Sequence, residues 1–284
     1  MKRVVFVSDF FSTQGLHGAE SNDSVLIEAP RQKGYSVIGI PSQLATLKMC
    51  KSFSEDDVYI ISNFVFLNEE SKSYIQSKNY IIYEHDHKYV NTRDPSRFKD
   101  FKIPEKRIIN LQFYQNAKAV VVLSDICKRV IEDNLKISNV YSIGTSLWPK
   151  ETFEVLRHLV STQDKEKEVA IVKSDNPTKG MAAAIRFCKK AEIEYDLISS
   201  ANPRDFLTTL SSYKKVVFIP QVLETFCRLV AEASMLDCKV YTKSKMIGFM
   251  SEEYSSLRGL QLIGVLEQKV DEALQLFCTL LEEK

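Results

Sequence analysis

Residues 216–242, VVFIPQVLETFCRLVAEASMLDCKVYT, hold the pattern that decides the fold. The apolar run from Val216 to Ile219 is typical of a buried strand, and Pro220 ends it because proline cannot donate to a sheet ladder. A loop then leads to a helix-period segment, and a second strand-like run follows at Lys239 to Thr242. This order predicts a β-loop-α-β unit, whose ligands bind at the carboxyl ends of the strands against a helix N-terminus. The helix-period residues are Leu229, Val230, Ala233 and Leu236.

Two glutamates lie where such a ligand would bind, Glu224 before the helical segment and Glu232 within it. In one continuous helix their spacing would leave the two carboxylates about 80° apart. We therefore expect Glu224 in the loop and Glu232 on the helix, because that arrangement lets both carboxylates face one site.

The composition is that of an ordinary globular protein, with 284 residues, 44% hydrophobic and 26% charged, and a formal net charge of +1. This balanced charge gives no general electrostatic case for nucleic acid or membrane as a partner. The six cysteines lack CxxC spacing, which favours reduced core thiols and a cytoplasmic location. No apolar run is long enough for a signal peptide or a transmembrane helix.

Short apolar runs alternate with helix-period segments along the whole chain, which predicts doubly wound parallel sheets of the α/β class. A polar stretch, STQDKEKE at 161–168, precedes a new buried run at Val169 to Val172. We place a hinge between Ser146 and Glu168, and thus two domains, 1–150 and 151–284. The amphipathic segment Gln268 to Leu281 predicts a last helix that packs on the core, and we expect it to pack back on the first domain.

Two polar segments of the first domain follow predicted strands. Residues 15–20, GLHGAE, place two glycines before a helix, where the backbone can approach a ligand closely. Residues 83–89, YEHDHKY, gather two of the four histidines beside carboxylates. A divalent metal is one interpretation of this His-x-His pattern, but no third ligand cluster occurs elsewhere. A polar loop at a strand end is the simpler alternative.

Basic residues stand out in two further places. Residues 88–107, KYVNTRDPSRFKDFKIPEKR, carry seven basic residues with interleaved aromatics, a combination that suits phosphates and unstacked bases. A solvated loop anchored by its aromatics explains the stretch equally well. In the second domain, Lys173 and Lys179 flank a proline turn at the start of a helix, where two ammonium groups and the helix dipole can bind a diphosphate. Two exposed lysines on a turn are the alternative there.

Taken together, these segments resemble the retaining GT-B glycosyltransferases, and family 4 of that enzyme class in particular. Glu224-x7-Glu232 is similar to the EX7E motif, and Lys173-x5-Lys179-Gly180 is similar to the donor diphosphate motif. Residues 15–20 resemble the glycine-rich GGxE segment, and residues 85–86 resemble a His-Asp pair. The sequence departs from the family at a few positions, with His17, Cys227 and Asp237 where glycine is usual, Lys173 where arginine is usual and Lys239 where proline is usual.

The resemblance implies the GT-B fold, with two Rossmann-like doubly wound domains that face a cleft. It also implies a retaining, metal-independent hexosyl- or pentosyltransferase that needs no cofactor and uses a nucleotide sugar, in the first place a UDP-sugar. By the same resemblance, His85, Asp86 and Glu224 are the catalytic residues that contact the transferred sugar. The residues implied at the donor are Gly18, Lys173, Lys179, Phe226, Cys227 and Glu232, with Glu232 on the ribose. Those expected on the acceptor side are His17, Glu20, Lys88, Arg93 and Arg97.

The acceptor itself is indicated by a second resemblance. Residues 83–89 (YEHDHKY), 92–95 (TRDP) and 113–124 (FYQNAKAVVVLS) are similar to glycosyltransferases of T-even-type bacteriophages. This implies a hydroxymethylated pyrimidine in double-stranded DNA as the acceptor. The alternatives are a glycan or lipid acceptor, as for most of family 4, a non-catalytic nucleotide-binding protein on the same fold, and a nucleotide-sugar hydrolase or epimerase. The sequence indicates neither the donor sugar nor the oligomeric state.

Overall fold

The computed structural model describes residues 3–11 and 18–282. The chain forms two compact units, one of Met1–Leu147 with Val270–Lys284 and the other of Trp148–Lys269. Each unit has its own sheet, and all the strand pairings within these sheets are parallel. The predicted α/β class with parallel sheets is therefore confirmed.

The first unit is built on a six-stranded sheet in the order β2-β1-β3-β4-β5-β6. Its central strands read as continuous apolar runs because parallel strands are covered on both faces, and residues 4–7 of β1 are fully buried. The strands are β1 (Arg3–Ser8), β2 (Ser36–Pro41), β3 (Val58–Ile61), β4 (Tyr80–Glu84), β5 (Ala119–Val122) and β6 (Val140–Ser142).

Two helices of the first unit begin at side chains that cap their free amides. Asn68 Oδ1 accepts a hydrogen bond from the Ser71 amide at 2.9 Å, and Thr46 accepts one from the Met49 amide. The helix Leu111–Gln115 begins only after Ile108, which forms an isolated antiparallel bridge with Val90. The helices are α1 (Gly18–Gln32), α2 (Leu47–Cys50), α3 (Glu69–Ile75), α4 (Leu111–Gln115) and α5 (Asp125–Leu135).

The second unit is built on a four-stranded sheet in the order β10-β9-β7-β8. The strands are β7 (Lys167–Val172), β8 (Asp196–Ile198), β9 (Tyr213–Val217) and β10 (Lys239–Tyr241). The helices are α6 (Lys150–Thr162), α7 (Met181–Lys190), α8 (Pro203–Ser211), α9 (Arg228–Met235) and α10 (Gly259–Glu282), of which residues from Val270 onward count with the first unit.

Both sheets contain a point where the strand order reverses. In the second unit the chain passes from β7 to β8 on one side and then to β9 on the other side of β7. In the first unit β2 and β3 flank β1 in the same way. Ligands of open α/β sheets bind outside the carboxyl ends of the strands at such a point. The loops that follow β7 and β9, and those that follow β1 and β3, are therefore the places where each unit is built to hold a ligand.

Some element boundaries differ from the sequence prediction. The strand expected at Val216 to Ile219 is β9, which begins three residues earlier and ends two residues earlier, at Tyr213–Val217. The last helix begins at Gly259 and not at Gln268. Within the part of the chain that the structure describes, no helix combines the length and the apolar character needed to cross a bilayer.

Candidate functional site

An ion pair occupies the point of strand reversal in the second unit. Lys179 Nζ lies 2.9 Å from Glu224 Oε1 and 3.0 Å from Glu224 Oε2. Lys179 precedes α7 and Glu224 follows β9, so the pair joins the two loops that border the ligand crevice. Lys179 is half exposed while Glu224 is largely covered. The ammonium group is thus accessible to an incoming anion.

The turn between β7 and α7 is held against the loop after β9. The Gln221 amide donates to the Thr178 carbonyl at 2.8 Å. Gly180 has φ +70°, and a Cβ there would lie 1.7 Å from the Ile219 carbonyl oxygen. Only glycine fits, because both the conformation and the close backbone approach exclude a side chain. Lys173 is exposed at the end of β7, and its amide donates to the Ile198 carbonyl at 2.8 Å.

The loop that carries Glu224 is braced by residues 246–249, which the sequence did not single out. The Glu224 amide donates to the Met246 carbonyl at 3.0 Å, and the Gly248 amide donates to the Glu224 carbonyl at 2.9 Å. The Phe249 amide donates to the Phe226 carbonyl at 2.8 Å. Three backbone hydrogen bonds therefore fix the loop before any ligand arrives.

Cys227 caps α9 in a conformation that normally requires glycine, with φ 77° and ψ 81°. Asp237, the second residue that stands in place of a usual glycine, also has a positive φ, of 57°. The chain thus keeps the backbone path while carrying side chains that strain it. Burial, followed by the Glu224 carboxylate, raises the pKa of the Cys227 thiol well above its ordinary value. The thiol is therefore neutral and adds no negative charge beside the first amides of α9.

The backbone strain at Cys227 gives the first prediction. At an ordinary position Ala stabilises a protein more than Gly, but at a positive φ the order should reverse by about 1 kcal/mol. We expect Cys227→Gly to unfold at a higher temperature than Cys227→Ala. The same two substitutions at Cys188, a buried residue within α7, provide the control. There the Ala variant should unfold at the higher temperature. If Cys227→Ala is the more stable variant, the backbone there is not strained.

Glu232 lies on α9 and Glu224 in the preceding loop, as the spacing predicted. Glu232 is almost fully buried, and its Oε1 accepts a hydrogen bond from the Trp148 indole Nε1 at 2.8 Å. Arg228 Nε lies 3.4 Å from the same oxygen. Trp148 and Arg228 are contacts of Glu232 that the sequence did not reveal.

In the first unit, His85 pairs with a residue that the sequence analysis missed. His85 Nε2 lies 3.3 Å from Asp23 Oδ1, and both side chains are buried. Asp23 also accepts hydrogen bonds from Ser8 at 2.8 Å and from Ser62 at 2.7 Å. Asp23 therefore links the carboxyl ends of β1, β3 and β4 from its place on α1. Its only sequence signal is a run of polar residues in the first turns of α1, where a buried apolar face would be usual.

The predicted His-Asp pair points in two directions. His85 faces inward, whereas Asp86 is exposed, with Oδ2 lying 3.7 Å from Arg93 Nη1. His87 is also buried, and its Nδ1 lies 2.9 Å from the Tyr89 hydroxyl. Burial lowers the pKa of His87, so its imidazole is neutral near pH 7. Of the two residues in this pair, Asp86 alone is open to solvent.

Among the predicted acceptor-side residues, Lys88 is not at the surface. Its Nζ is buried, 2.8 Å from Glu84 Oε1 and 3.2 Å from Asn63 Oδ1. Arg93 and Arg97 are more than half exposed. Lys88 thus neutralises a buried carboxylate, and of the three basic residues predicted on the acceptor side only Arg93 and Arg97 are accessible.

The glycine-rich segment is described only in part. His17 lies outside the described residues, and Gly18 begins α1 in an exposed position. Glu20 is buried in the first turn of α1, and no donor among residues 3–11 and 18–282 contacts its Oε2. Nearby, Asp9 accepts from the amides of residues 65 and 66 and from Ser42, which ties together the loops after β1, β2 and β3.

The metal interpretation of the His-x-His segment finds no ligand cluster in the structure. Among the described residues, no group of three or more His, Cys, Asp and Glu side chains could hold a metal ion. The two histidines of the segment contact Asp23 and Tyr89.

No protein-family model matches this sequence, and no curated protein matches it either. Solved structures do match. The pneumococcal O-GlcNAc transferase GtfA, in complex with UDP and GlcNAc, is similar over 83% of this chain with a TM-score of 0.51 and 9% identity. This chain covers 60% of the length of that GtfA chain.

Two structures of α-glucosyltransferase match over nearly their full length. One, in complex with UDP and a 13-mer DNA containing an HMU base, has a TM-score of 0.51 and 10% identity, with 99% of both chains covered. Another, with UDP-glucose and DNA containing an abasic site, has a TM-score of 0.50 and 12% identity, with 96% of this chain and 95% of that chain covered.

These similar proteins are GT-B glycosyltransferases. At such low identities the likeness establishes the fold alone. The chain has the GT-B type of fold with two Rossmann-like units, as the sequence predicted.

Proposed function

We propose that the protein is a retaining, metal-independent glycosyltransferase of the family 4 type, which moves a sugar from a UDP-sugar to a hydroxymethylated pyrimidine in DNA. The observation that carries the proposal is the Lys179–Glu224 pair at the point of strand reversal in the second unit. That point is where open α/β sheets bind nucleotides. The pair places a cation for the diphosphate beside a carboxylate that can accept hydrogen bonds from sugar hydroxyls.

The second unit would hold the donor through three kinds of contact. Lys179 and Lys173 attract the diphosphate, and the first amides of α9 add the positive end of a helix dipole. Glu232 accepts hydrogen bonds from the ribose hydroxyls. Glu224 leaves its ion pair with Lys179 when the phosphate takes over that cation, and then accepts hydrogen bonds from hydroxyls of the sugar.

The chemical step breaks the bond between the anomeric carbon and the β-phosphate oxygen. Negative charge develops on the departing UDP, and fixed cations and amides lower the barrier because they are already oriented towards it. The acceptor hydroxyl forms the new bond on the same face, and its proton passes to the departing phosphate oxygen. This route retains the anomeric configuration without a covalent enzyme intermediate.

The first unit would contribute the groups that contact the transferred sugar and the acceptor. Asp23 holds the His85 imidazole through Nε2, so the ring keeps one orientation. Asp86 is open to solvent beside Arg93. Glu20 retains a buried carboxylate oxygen that no described donor contacts, and an acceptor hydroxyl would satisfy it.

Two observations favour DNA over a glycan or a lipid as the acceptor. The α-glucosyltransferase bound to a DNA 13-mer matches this chain over 99% of both lengths. Arg93 and Arg97 are exposed on the basic loop of the first unit, where they can contact phosphates.

The proposal is tested by following released UDP with a panel of UDP-sugars. Each donor is incubated with DNA that contains hydroxymethylated pyrimidine, with unmodified DNA of the same sequence, and without DNA. We expect one donor to release UDP and the hydroxymethylated DNA to increase the rate. Release that DNA does not increase would keep the transferase and refute the acceptor. A folded protein that neither binds UDP nor releases it from any donor would refute the transferase.

The exposed arginines give a prediction on salt dependence. Each phosphate contact that is lost reduces the slope of log K against log salt concentration by about 0.9. We expect Arg93→Gln and Arg97→Gln each to weaken DNA binding and to reduce this slope by about that amount. Arg129→Gln, which removes an exposed arginine on α5, should leave the slope unchanged. If Arg129→Gln reduces the slope as much as the other two variants do, the basic loop is not part of the DNA interface.

A further inference from the structure

Trp148 is the sole tryptophan of the chain, and its indole is buried against Glu232. The indole Nε1 donates to Glu232 Oε1 at 2.8 Å. Phe153 and Phe226 pack edge-on against the indole at centroid distances of 5.9 and 6.1 Å. The indole N–H is therefore fixed in place by packing, because a buried ring in contact with two aromatic rings cannot turn freely away from the carboxylate.

Arg228 contacts both the indole and the carboxylate. Its guanidinium carbon lies 4.9 Å from the centroid of the Trp148 ring, and its Nε lies 3.4 Å from Glu232 Oε1. The three side chains thus contact one another in a closed set. A cation that stacks on the indole also holds the oxygen to which the indole donates.

Both donors contact the same oxygen of Glu232. A carboxylate oxygen has two lone pairs, and Oε1 uses them for Trp148 and Arg228. Both of these contacts go to Oε1 and leave Oε2 to face the ligand. The carboxylate therefore faces a ligand with one oxygen already occupied and the other available, in an orientation set before the ligand arrives.

We propose that Trp148 and Arg228 are positioning residues that fix Glu232 so that Oε2 selects a ribonucleotide over a 2′-deoxyribonucleotide. The inference rests on the proposed function, because it assumes a nucleoside diphosphate in the second unit. A site oriented to accept a hydrogen bond from a ligand hydroxyl discriminates against the analogue that lacks it, since the oxygen that the bound nucleotide covers is then left without a donor. A carboxylate that is free to rotate would discriminate less between the two nucleotides, because it could turn its oxygen to solvent.

The consequence is a nucleotide preference that depends on a residue outside the ligand site. We expect the wild-type protein to bind UDP at least ~10-fold more tightly than 2′-deoxy-UDP. In Trp148→Phe, which keeps an aromatic ring but removes the N–H, this ratio should fall to about 2. Affinity for 2′-deoxy-UDP should be unchanged, because that ligand lacks the hydroxyl on which the positioning acts.

The experiment is calorimetric titration of both nucleotides into the wild-type protein, Trp148→Phe, Glu232→Gln and the double variant. If Trp148 acts through Glu232, the ratio of the two affinities in the double variant should equal the ratio in Glu232→Gln alone. Equal weakening of both nucleotides in Trp148→Phe would indicate a purely structural role and overturn the inference. A wild-type protein that binds no UDP would overturn the proposed function and the inference together.

Arg228→Met keeps the test open if Trp148→Phe does not fold. Loss of this cation from the diphosphate would weaken the binding of both nucleotides equally and leave the ratio of their affinities unchanged. Loss of its positioning effect on Glu232 lowers the ratio, which should fall about 3-fold. An unchanged ratio would overturn the inference for Arg228. Since Trp148 is the sole tryptophan, its emission should also change on addition of UDP to the wild-type protein and remain constant in Glu232→Gln.

Discussion

Replacement of Lys179 by methionine is expected to lower the rate of sugar transfer by about 10²–10³-fold, the usual effect of removing one preorganised donor from a developing anion. Lys179 is half exposed, and an exposed ion pair contributes about 0–1 kcal/mol to stability. The fold should therefore survive the change. The measurement is the single-turnover rate of transfer with saturating donor, beside thermal unfolding of the same sample.

The partner of Lys179 predicts how the loss is divided between binding and chemistry. Without the ammonium group, the Glu224 carboxylate stands unneutralised beside the diphosphate, so UDP should bind more weakly. The double variant Lys179→Met with Glu224→Gln should recover part of the UDP affinity but none of the rate, because the cation for the leaving group is still absent.

Lys190→Met is the matched control for this prediction. Lys190 is an exposed lysine at the opposite end of α7, so its removal changes the net charge equally but leaves the crevice intact. Equal loss of rate in the Lys179 and Lys190 variants would mean that total charge, and not the position of the ammonium group, governs the reaction.

The sheets could be predicted from the sequence because parallel strands are covered on both faces and read as apolar runs. Boundaries failed where tertiary contacts override local preference. The last helix begins at Gly259, although glycine disfavours helix, because Leu262, Ile263 and Leu266 are fully buried there. Before α4, Ile108 pairs with Val90 in an isolated antiparallel bridge, a contact across 18 residues that no local pattern indicates.

For the site too, residues placed by local contacts could be predicted and those placed by distant contacts could not. The placement of Glu224 in the loop and Glu232 on the helix follows from spacing within one β-loop-α-β unit. Asp23 and Trp148 could not be found in this way, since they meet His85 and Glu232 across 62 and 84 residues of sequence. Lys88 was placed at the surface because it opens a basic run, whereas its partner Glu84 is the buried end of β4.

That buried pair makes Lys88→Met the largest expected change in stability, a loss of about 3–5 kcal/mol at pH 7. The Glu84 carboxylate would remain buried with its charge uncompensated, although the Tyr114 hydroxyl and the Asp86 amide still donate to it. Hydrogen exchange of the β4 amides in urea measures this loss in the first unit by itself. Lys106→Met, at an exposed lysine of the same loop, should change stability by less than about 0.5 kcal/mol.

The stability of the wild-type protein and that of Lys88→Met should depend on pH with opposite signs. Burial raises the pKa of Glu84, but the Lys88 charge, its hydrogen bond and those from Tyr114 and Asp86 lower it from 4.5 to about 2. In the wild-type protein the pair therefore stabilises the fold above about pH 4.5, and that contribution is lost as the pH falls towards 2. Without Lys88, burial dominates and the pKa rises, so the carboxyl group is protonated in the folded variant at low pH. The deficit of Lys88→Met should then be smaller at pH 4 than at pH 7, and Glu84→Gln with Lys88→Met should restore most of the stability at both. A deficit that does not change with pH would mean that lost packing around Lys88, and not the charge of Glu84, sets the cost.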